Sequence, residues 1–419
     1  MVSSLTNGFF YRTIDLPIGN LLPGPHTVKL VIDSGNSIGE TDEGDNSFVK
    51  NITIVDPLAF ADVAGDYAGV ASSEPVTPET SGAITLRLTR QGRFTASMIL
   101  RGKRFKLKGL FAGSGTFART LAVSEQRGPT LTADLALDPS EGGKLIGAFP
   151  ELDPVPAIFA ERNPNSGGSA SEAAGNHTFF GTPSIGFTDE TRFPQGASSG
   201  AIKVKRSGRL RANVLFADGT KSSMGSSLGA SRRMPLYNAI YRKRGVAIGW
   251  VPLIGGGGGL QTPGSMTWIN PGVGRILPQG FIVRNDTQTS PYFKPHRGER
   301  VINVPSGEQN CLFAYSGGGV TNLPLSFFTT LDGRNKMRAG GLGGFKMKIK
   351  DRSGAFSGEF RDEITGAKRK FAGAFLQNRN QGIGYFAGEG QSGSITIDSA
   401  GPVAPSVAGS NRGEESGAE

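Results

Sequence analysis

Two Gly-x-Ser-x-Gly pentapeptides, Gly196–Gly200 around Ser198 and Gly225–Gly229 around Ser227, are the stretches whose spacing most suggests covalent chemistry. A hydrolase holds such a serine on a sharp strand-to-helix turn. Asp286 and His296 follow Ser227 in the order nucleophile, acid, base. Yet no helical periodicity follows either serine, and no βαβ pattern surrounds them. In a chain with 63 glycines, two such hits are chance products, and the sequence predicts no catalytic residue.

The other reactive types are sparse. His26, His177 and His296 are the only histidines, and they fall in different units. A metal or acid–base cluster would have to be built across those units, so each reads as a strand or loop residue. Gly255 to Gly259 lacks the Gly-Lys-Ser/Thr of a phosphate loop. Asp33, Glu40, Asp42, Glu43 and Asp45 are hard oxygen donors, but their spacing is not that of an EF-hand, and they read as a solvated acidic hairpin. No metal or cofactor is predicted. Trp250, Trp268 and Tyr237 could line a sugar platform but read better as core plugs.

Cations remain. Lys103, Arg104, Lys106 and Lys108 cluster, as do Lys203, Lys205, Arg206, Arg209 and Arg211. Arg232, Arg233, Arg242, Lys243 and Arg244 form another group, and Lys346, Lys348, Lys350, Lys368, Arg369 and Lys370 a last one. Most fall on the polar side of alternating stretches. Lys106, Lys108, Lys203, Lys205, Lys346, Lys348 and Lys350 are the candidate binding residues, for an acidic polysaccharide or other cell-surface polymer. The net charge of +10 agrees. Aromatics are not interleaved with them, which argues against specific single-strand nucleic acid binding. Solubility and protection of strand edges are the competing role for these lysines.

The elements that must carry these residues are strands. Ser81 to Gly109, Ser199 to Gly219 and Gly344 to Gly373 repeat one pattern: a strand of period two, a Gly turn, a second strand, another Gly turn and a third strand. Ile84, Leu86 and Leu88 share one face; Thr85 and Arg87 share the other. Asp218-Gly219 and Asp332-Gly333 are the clearest hairpin signals. The stretch Lys221 to Ala230 is rich in Ser and Gly, which makes its strand pairing the weakest. At 419 residues the chain allows two to four domains. The expectation is all-β: a partial sandwich over 1–56, antiparallel meander units forming barrels or strongly curved sheets over 61–162, 176–288 and 289–398, a flexible linker at 163–175 and a disordered tail at 399–419. No apolar run reaches the ~18 residues of a spanning helix, no signal peptide is visible, and the lone Cys311 excludes an internal disulfide.

The order Gly24, His26, Asp33, Asn36, Ile38, Glu40, Glu43 and Asn46 resembles the end of a CARDB domain, a cell-adhesion-related, immunoglobulin-like module of bacterial secreted proteins. A sandwich of this kind needs about 100 residues, so Met1 is expected not to be the natural start. Gly65-Asp-Tyr67-Ala-Gly69, Asp218-Gly-Thr220, Met234 to Tyr237, Gly249-Trp250, Gly264 to Trp268, Gly280-Phe281 and Gln381 to Phe386 are similar to a repeat of large secreted bacterial proteins. That repeat has no established activity. The resemblances imply an extracellular or cell-surface location and a non-enzymatic part in adhesion or display. A ligand-holding barrel and an accessory region of a secreted hydrolase are the alternatives.

Overall fold

The structure is a computed structural model that describes residues 21–22, 24–39, 42, 44, 46–54, 60–111, 121–123, 131–138, 142–253, 264–340 and 344–401. The expected tail from 402 onward and the Gly255–Gly259 run lie outside the described residues. The described residues form strands joined by turns and short 3-10 segments, without an α-helix.

Strands β1 (Gly24–Val31) and β2 (Ser47–Ile54) form a two-stranded antiparallel ribbon, with Gly24 opposite Ile54 and Val31 opposite Ser47. It lies in the stretch expected as a partial sandwich, and the described residues there form this one ribbon without a second sheet packed on it. Its acidic turn is folded by Asp33, whose carboxylate accepts from the backbone N–H of Ser37 at 2.9 Å and of Ile38 at 2.7 Å. Asp42 likewise accepts from Gly44 at 2.8 Å.

Three eight-stranded sheets follow. The first holds β3 (Gly65–Ser72), β4 (Gly82–Leu88), β5 (Arg93–Leu100), β6 (Lys103–Leu110), β7 (Leu121–Val123), β8 (Leu131–Asp138), β9 (Lys144–Ala148) and β10 (Ala157–Arg162). The second holds β11 (Gly175–Pro183), β12 (Ser198–Val204), β13 (Arg209–Leu215), β14 (Lys221–Ser227), β15 (Arg233–Ile240), β16 (Gly245–Pro252), β17 (Gly264–Asn270) and β18 (Phe281–Tyr292). The third holds β19 (Cys311–Gly317), β20 (Thr321–Leu331), β21 (Met337–Ala339), β22 (Lys346–Lys350), β23 (Ala355–Arg361), β24 (Lys368–Leu376), β25 (Gln381–Ala387) and β26 (Ser392–Ser399).

Each sheet is an up-and-down meander whose first and last strands pair: β3 with β10, β11 with β18, and β19 with β26. That pairing curls the sheet into a nearly closed barrel and leaves one seam without a ladder. The seam lies between β6 and β7, between β14 and β15, and between β21 and β22. The Ser- and Gly-rich stretch is β14, an edge strand that pairs only with β13. Across its seam the Ser222 hydroxyl donates to Asn238 Oδ1 at 2.6 Å, so side chains replace the missing ladder there.

Strict alternation builds the walls. In β13 the residues run exposed, buried, exposed along Arg209-Leu-Arg-Ala-Asn-Val. The inward residues fill each barrel. Phe94, Met98, Leu107 and Phe111 fill the first, and Phe179, Phe216, Met234, Met266, Trp268 and Phe281 the second. Phe313, Phe356, Phe360, Phe371 and Phe386 fill the third. Trp268 is therefore a core plug, as expected, with rings 5.1 Å from Phe216 and 4.7 Å from Phe281.

Four sequence expectations need correction. The segment expected as a flexible linker is anchored at its start, although residues 166–170 are exposed: Asn163 is buried, and its Nδ2 donates to Ser207 O at 2.8 Å. Gly208 permits this, since a Cβ there would meet Asn163 Oδ1 at 2.4 Å and its φ is +73°. The boundary expected at 288 falls inside β18, which runs on to Tyr292 because the second barrel needs that strand to close. The third copy of the strand pattern, β22 to β24, is not equivalent to the others: it lies beyond the seam, whereas β4 to β6 and β12 to β14 precede theirs. At Asp332-Gly333 the expected hairpin forms, with Leu331 opposite Met337, but its left-handed residue is Asn335, φ +55°, and not the glycine, because Asp332 turns the chain by accepting from Arg334 and Lys336 N–H.

Candidate functional site

The outer face of the first barrel changes character along its strands. Register places Val70, Ala83, Ile99 and Arg104 in one cross-strand row, then Ala68, Thr85, Ser97 and Lys106, then Asp66, Arg87, Thr95 and Lys108. The apolar start of this face packs against Tyr237, Val246, Ile248 and Ile269 of the second barrel. The hydroxyl and cation rows that follow line an open cleft of about 810 Å³, whose far wall is Arg209, Gly225, Ser226 and Ser227. Arg87 and Lys108 sit two strands apart, about 9.6 Å, and Lys106 is about 6.8 Å along the strand from Lys108.

The walls are fixed to each other. Arg209 meets Asp66 across the cleft floor at 2.9 Å. The buried carboxylate of Glu161 in β10 accepts from Ser231 N and Arg233 Nη2, each at 3.0 Å. Gly102 N donates to Tyr237 Oη at 3.2 Å. Trp250 lies edge-on to Phe159 at 5.6 Å, under the Arg233 guanidinium at 5.3 Å. Trp250 and Tyr237 thus plug the joint between two barrels rather than a barrel core, and neither lines the cleft. Tyr67 does, but its ring is buried and its hydroxyl donates to Val63 O at 2.6 Å; burial pushes that hydroxyl up to about 12.

Such a cleft offers ammonium and guanidinium donors beside the hydroxyls of Thr85, Thr95, Ser97, Ser226 and Ser227. These groups pair with carboxylate or sulfate and with sugar hydroxyls. Of the seven candidate lysines, Lys106 and Lys108 line it. Lys203 and Lys205 are exposed on the second barrel, where Lys203 shares a row with Arg211 and Gly225 that ends at the cleft. Lys346, Lys348 and Lys350 are exposed on β22, in the third sheet. Arg369 departs from the expected solvent face. It is buried beside the equally buried Asp362, at 3.4 Å, and reaches Glu389 at 3.7 Å, so it ties loops at a barrel end. Arg87 was legible only as an outward residue of β4; its place opposite Thr95 depends on register.

The pentapeptide serines occupy strand positions rather than elbows. Ser198 opens β12, is buried, and its Oγ accepts from Ala217 N at 3.2 Å. Ser227 closes β14 opposite Arg209. No histidine is among the described residues that line the cleft.

Histidines expected to be remote from one another come closer than the sequence implied. His177 and His296 line one cavity of about 370 Å³ with Glu172 and Lys294. No group of three metal-ligating side chains occurs among the described residues. His177 is buried and its Nε2 donates to Ala173 O at 2.8 Å, while its Nδ1 has no partner among the described residues. His26 bonds Leu22 O at 2.6 Å. Burial pushes the His177 imidazole below its ordinary value near 6.5, and the Ala173 bond offsets part of that. The unfolded chain therefore takes up the proton first as pH falls. Stability should be full above about pH 6.5 and decline below it. Urea unfolding at pH 7.5 and 5.5 checks this: His177→Gln should flatten the difference, and an unchanged difference would assign it elsewhere.

No family model matches the chain, and no curated protein does. Among solved structures it is similar to transferrin binding protein B, a vaccine antigen of Haemophilus parasuis Hp5. The identity is 11%, over 80% of this chain and 75% of that one, with a TM-score of 0.19. The isotype 1 transferrin binding protein B of serogroup B Neisseria meningitidis gives 11%, 76% and 65%, at 0.19. The endo-1,5-α-L-arabinanase of Thermotoga petrophila RKU-1 gives 10%, 78% and 82%, at 0.19. Likenesses at that TM-score carry no argument about function.

Proposed function

We propose that this chain is a non-enzymatic, extracellular β-barrel protein of adhesion or surface display, which holds an acidic polysaccharide strand in the cleft between its first two barrels. The observation that carries this reading is the convergence of Arg87, Lys106, Lys108 and Arg209 with five serine and threonine residues around one cleft with fixed walls. The CARDB-like residues from Gly24 to Asn46 supply the extracellular setting. The barrels are filled by large side chains, which favours the cleft over a barrel lumen as the ligand site.

Retention on a polygalacturonate column tests it. The wild type should be retained at low salt and released as salt screens the charges. Replacing Arg87, Lys106 and Lys108 with Gln should weaken binding roughly threefold to hundredfold, the combined effect of three exposed ion contacts. Lys203→Gln with Lys205→Gln, which removes charge outside the cleft, should do less. Equal losses from both sets would mean that net charge alone retains the protein.

A further inference from the structure

The third barrel, like the first with its three-residue β7, closes on a short edge strand. Its seam separates β21, only three residues long, from β22, and each ends the sheet. Inside the seam Phe345, Met347 and Ile349 are only half-buried, although they pack on the phenylalanine core. The outward residues Lys346, Lys348 and Lys350 are exposed. A cavity of about 490 Å³ lies between the edges, lined by Arg334, Lys336, Met337, Arg338, Lys346 and Met347 among others. A second, of about 750 Å³, continues it past Arg334, Lys336 and Arg338 to Lys294 and Arg297. Cations outnumber the carboxylates there, which are Asp332 and Asp351.

A sheet edge presents backbone N–H and C=O groups to a further strand. We propose that the β22 edge takes an extended, acidic segment of a partner polypeptide as an added strand in the third barrel's seam. Directly opposed residues of paired strands point to the same face. The partner residues opposite Lys346, Lys348 and Lys350 are therefore acidic, and those opposite Met347 and Ile349 are apolar. The occupant is a polypeptide that alternates Glu or Asp with Val, Ile or Leu. A polysaccharide could meet the charges but not the backbone or the apolar floor. This site is independent of the cleft between the first two barrels.

The test uses the full chain and a synthetic peptide of four Glu-Val repeats. The peptide should bind, and binding should slow amide hydrogen exchange in β22 while leaving β4 to β6 unchanged. A copy of the peptide N-methylated at alternate residues on its pairing edge should bind at least about tenfold more weakly, the loss expected when buried backbone acceptors lose their donors. Lys346→Gln, Lys348→Gln and Lys350→Gln together should also weaken it. The exchange measurement on the wild type stands even if that variant folds poorly. Absence of binding, equal binding of the N-methylated peptide, or protection outside β22 overturns the proposal. The lysines would then only guard the edge.

Discussion

Trp268→Ala should destabilise the second barrel by about 3–5 kcal/mol, the range for deleting a large buried ring. The indole is fully buried, lies between Phe216 and Phe281, and donates from Nε1 to Tyr241 Oη at 3.1 Å. Tyr241 in turn donates to Asp218, and burial with that carboxylate raises its hydroxyl far above the ordinary tyrosine value. Alanine leaves a cavity and strips one hydrogen bond from this chain. Trp268→Phe keeps most of the ring stacking and should cost less. Urea unfolding followed by hydrogen exchange in β16 and β17 reads the difference locally. A loss below about 1 kcal/mol would mean that the barrel collapses onto the space, and that this ring does not organise its core.

Gly196→Val should pull the second and third barrels apart. A Cβ at residue 196 would lie 2.2 Å from Tyr385 Cβ and 2.6 Å from the backbone oxygen of Gly393, and main chain cannot step aside. The joint also depends on Ala197 N to Gly384 O at 3.1 Å, Ser392 Oγ to Ala217 O at 2.6 Å and Thr178 Oγ1 to Phe375 O at 2.8 Å. Tyr385 of the third sheet sits in the second core cluster, and Tyr292 of the second sheet sits in the third. Overpacking ordinarily costs about 1–3 kcal/mol, and the lost bonds place this substitution at the upper end or beyond. Calorimetry should show the two barrels melting further apart in temperature. A thermogram identical to the wild type would rule out this docking.

Period two and Gly turns made the strands legible, because alternation in stretches such as Ile84-Thr-Leu-Arg-Leu88 depends only on which face is buried. The filled barrel interior was legible for the same reason. Closure was not, because β3 pairs with β10 across some ninety residues and no local signal marks that partner. Lys106 and Lys108 were legible as outward cations, but the cleft needed Arg209 and Ser226 from another barrel. Arg369 misled because it sits in a run of cations between Lys368 and Lys370, although its alternation with Phe371 and Phe375 is that of the inward face, where it meets the buried Asp362. Asn163 to Gly175 has the composition of a linker, and residues 166–170 are exposed, yet Asn163 at its start packs against Ser207 and Gly208.

The pairing of first and last strands also decides how each barrel carries load. Tyr67 near the start of β3 lies opposite Arg162 at the end of β10, and Asn176 lies opposite Tyr292. Cys311 likewise lies opposite Ser399. The chain thus enters and leaves every barrel at the same end of two neighbouring antiparallel strands. Tension on the chain meets their hydrogen bonds one rung at a time, as a zipper does, and not all together as in shear. That geometry lengthens under modest force: each barrel can peel open from its closing pair and yield slack before a bond beyond either end of the chain gives way.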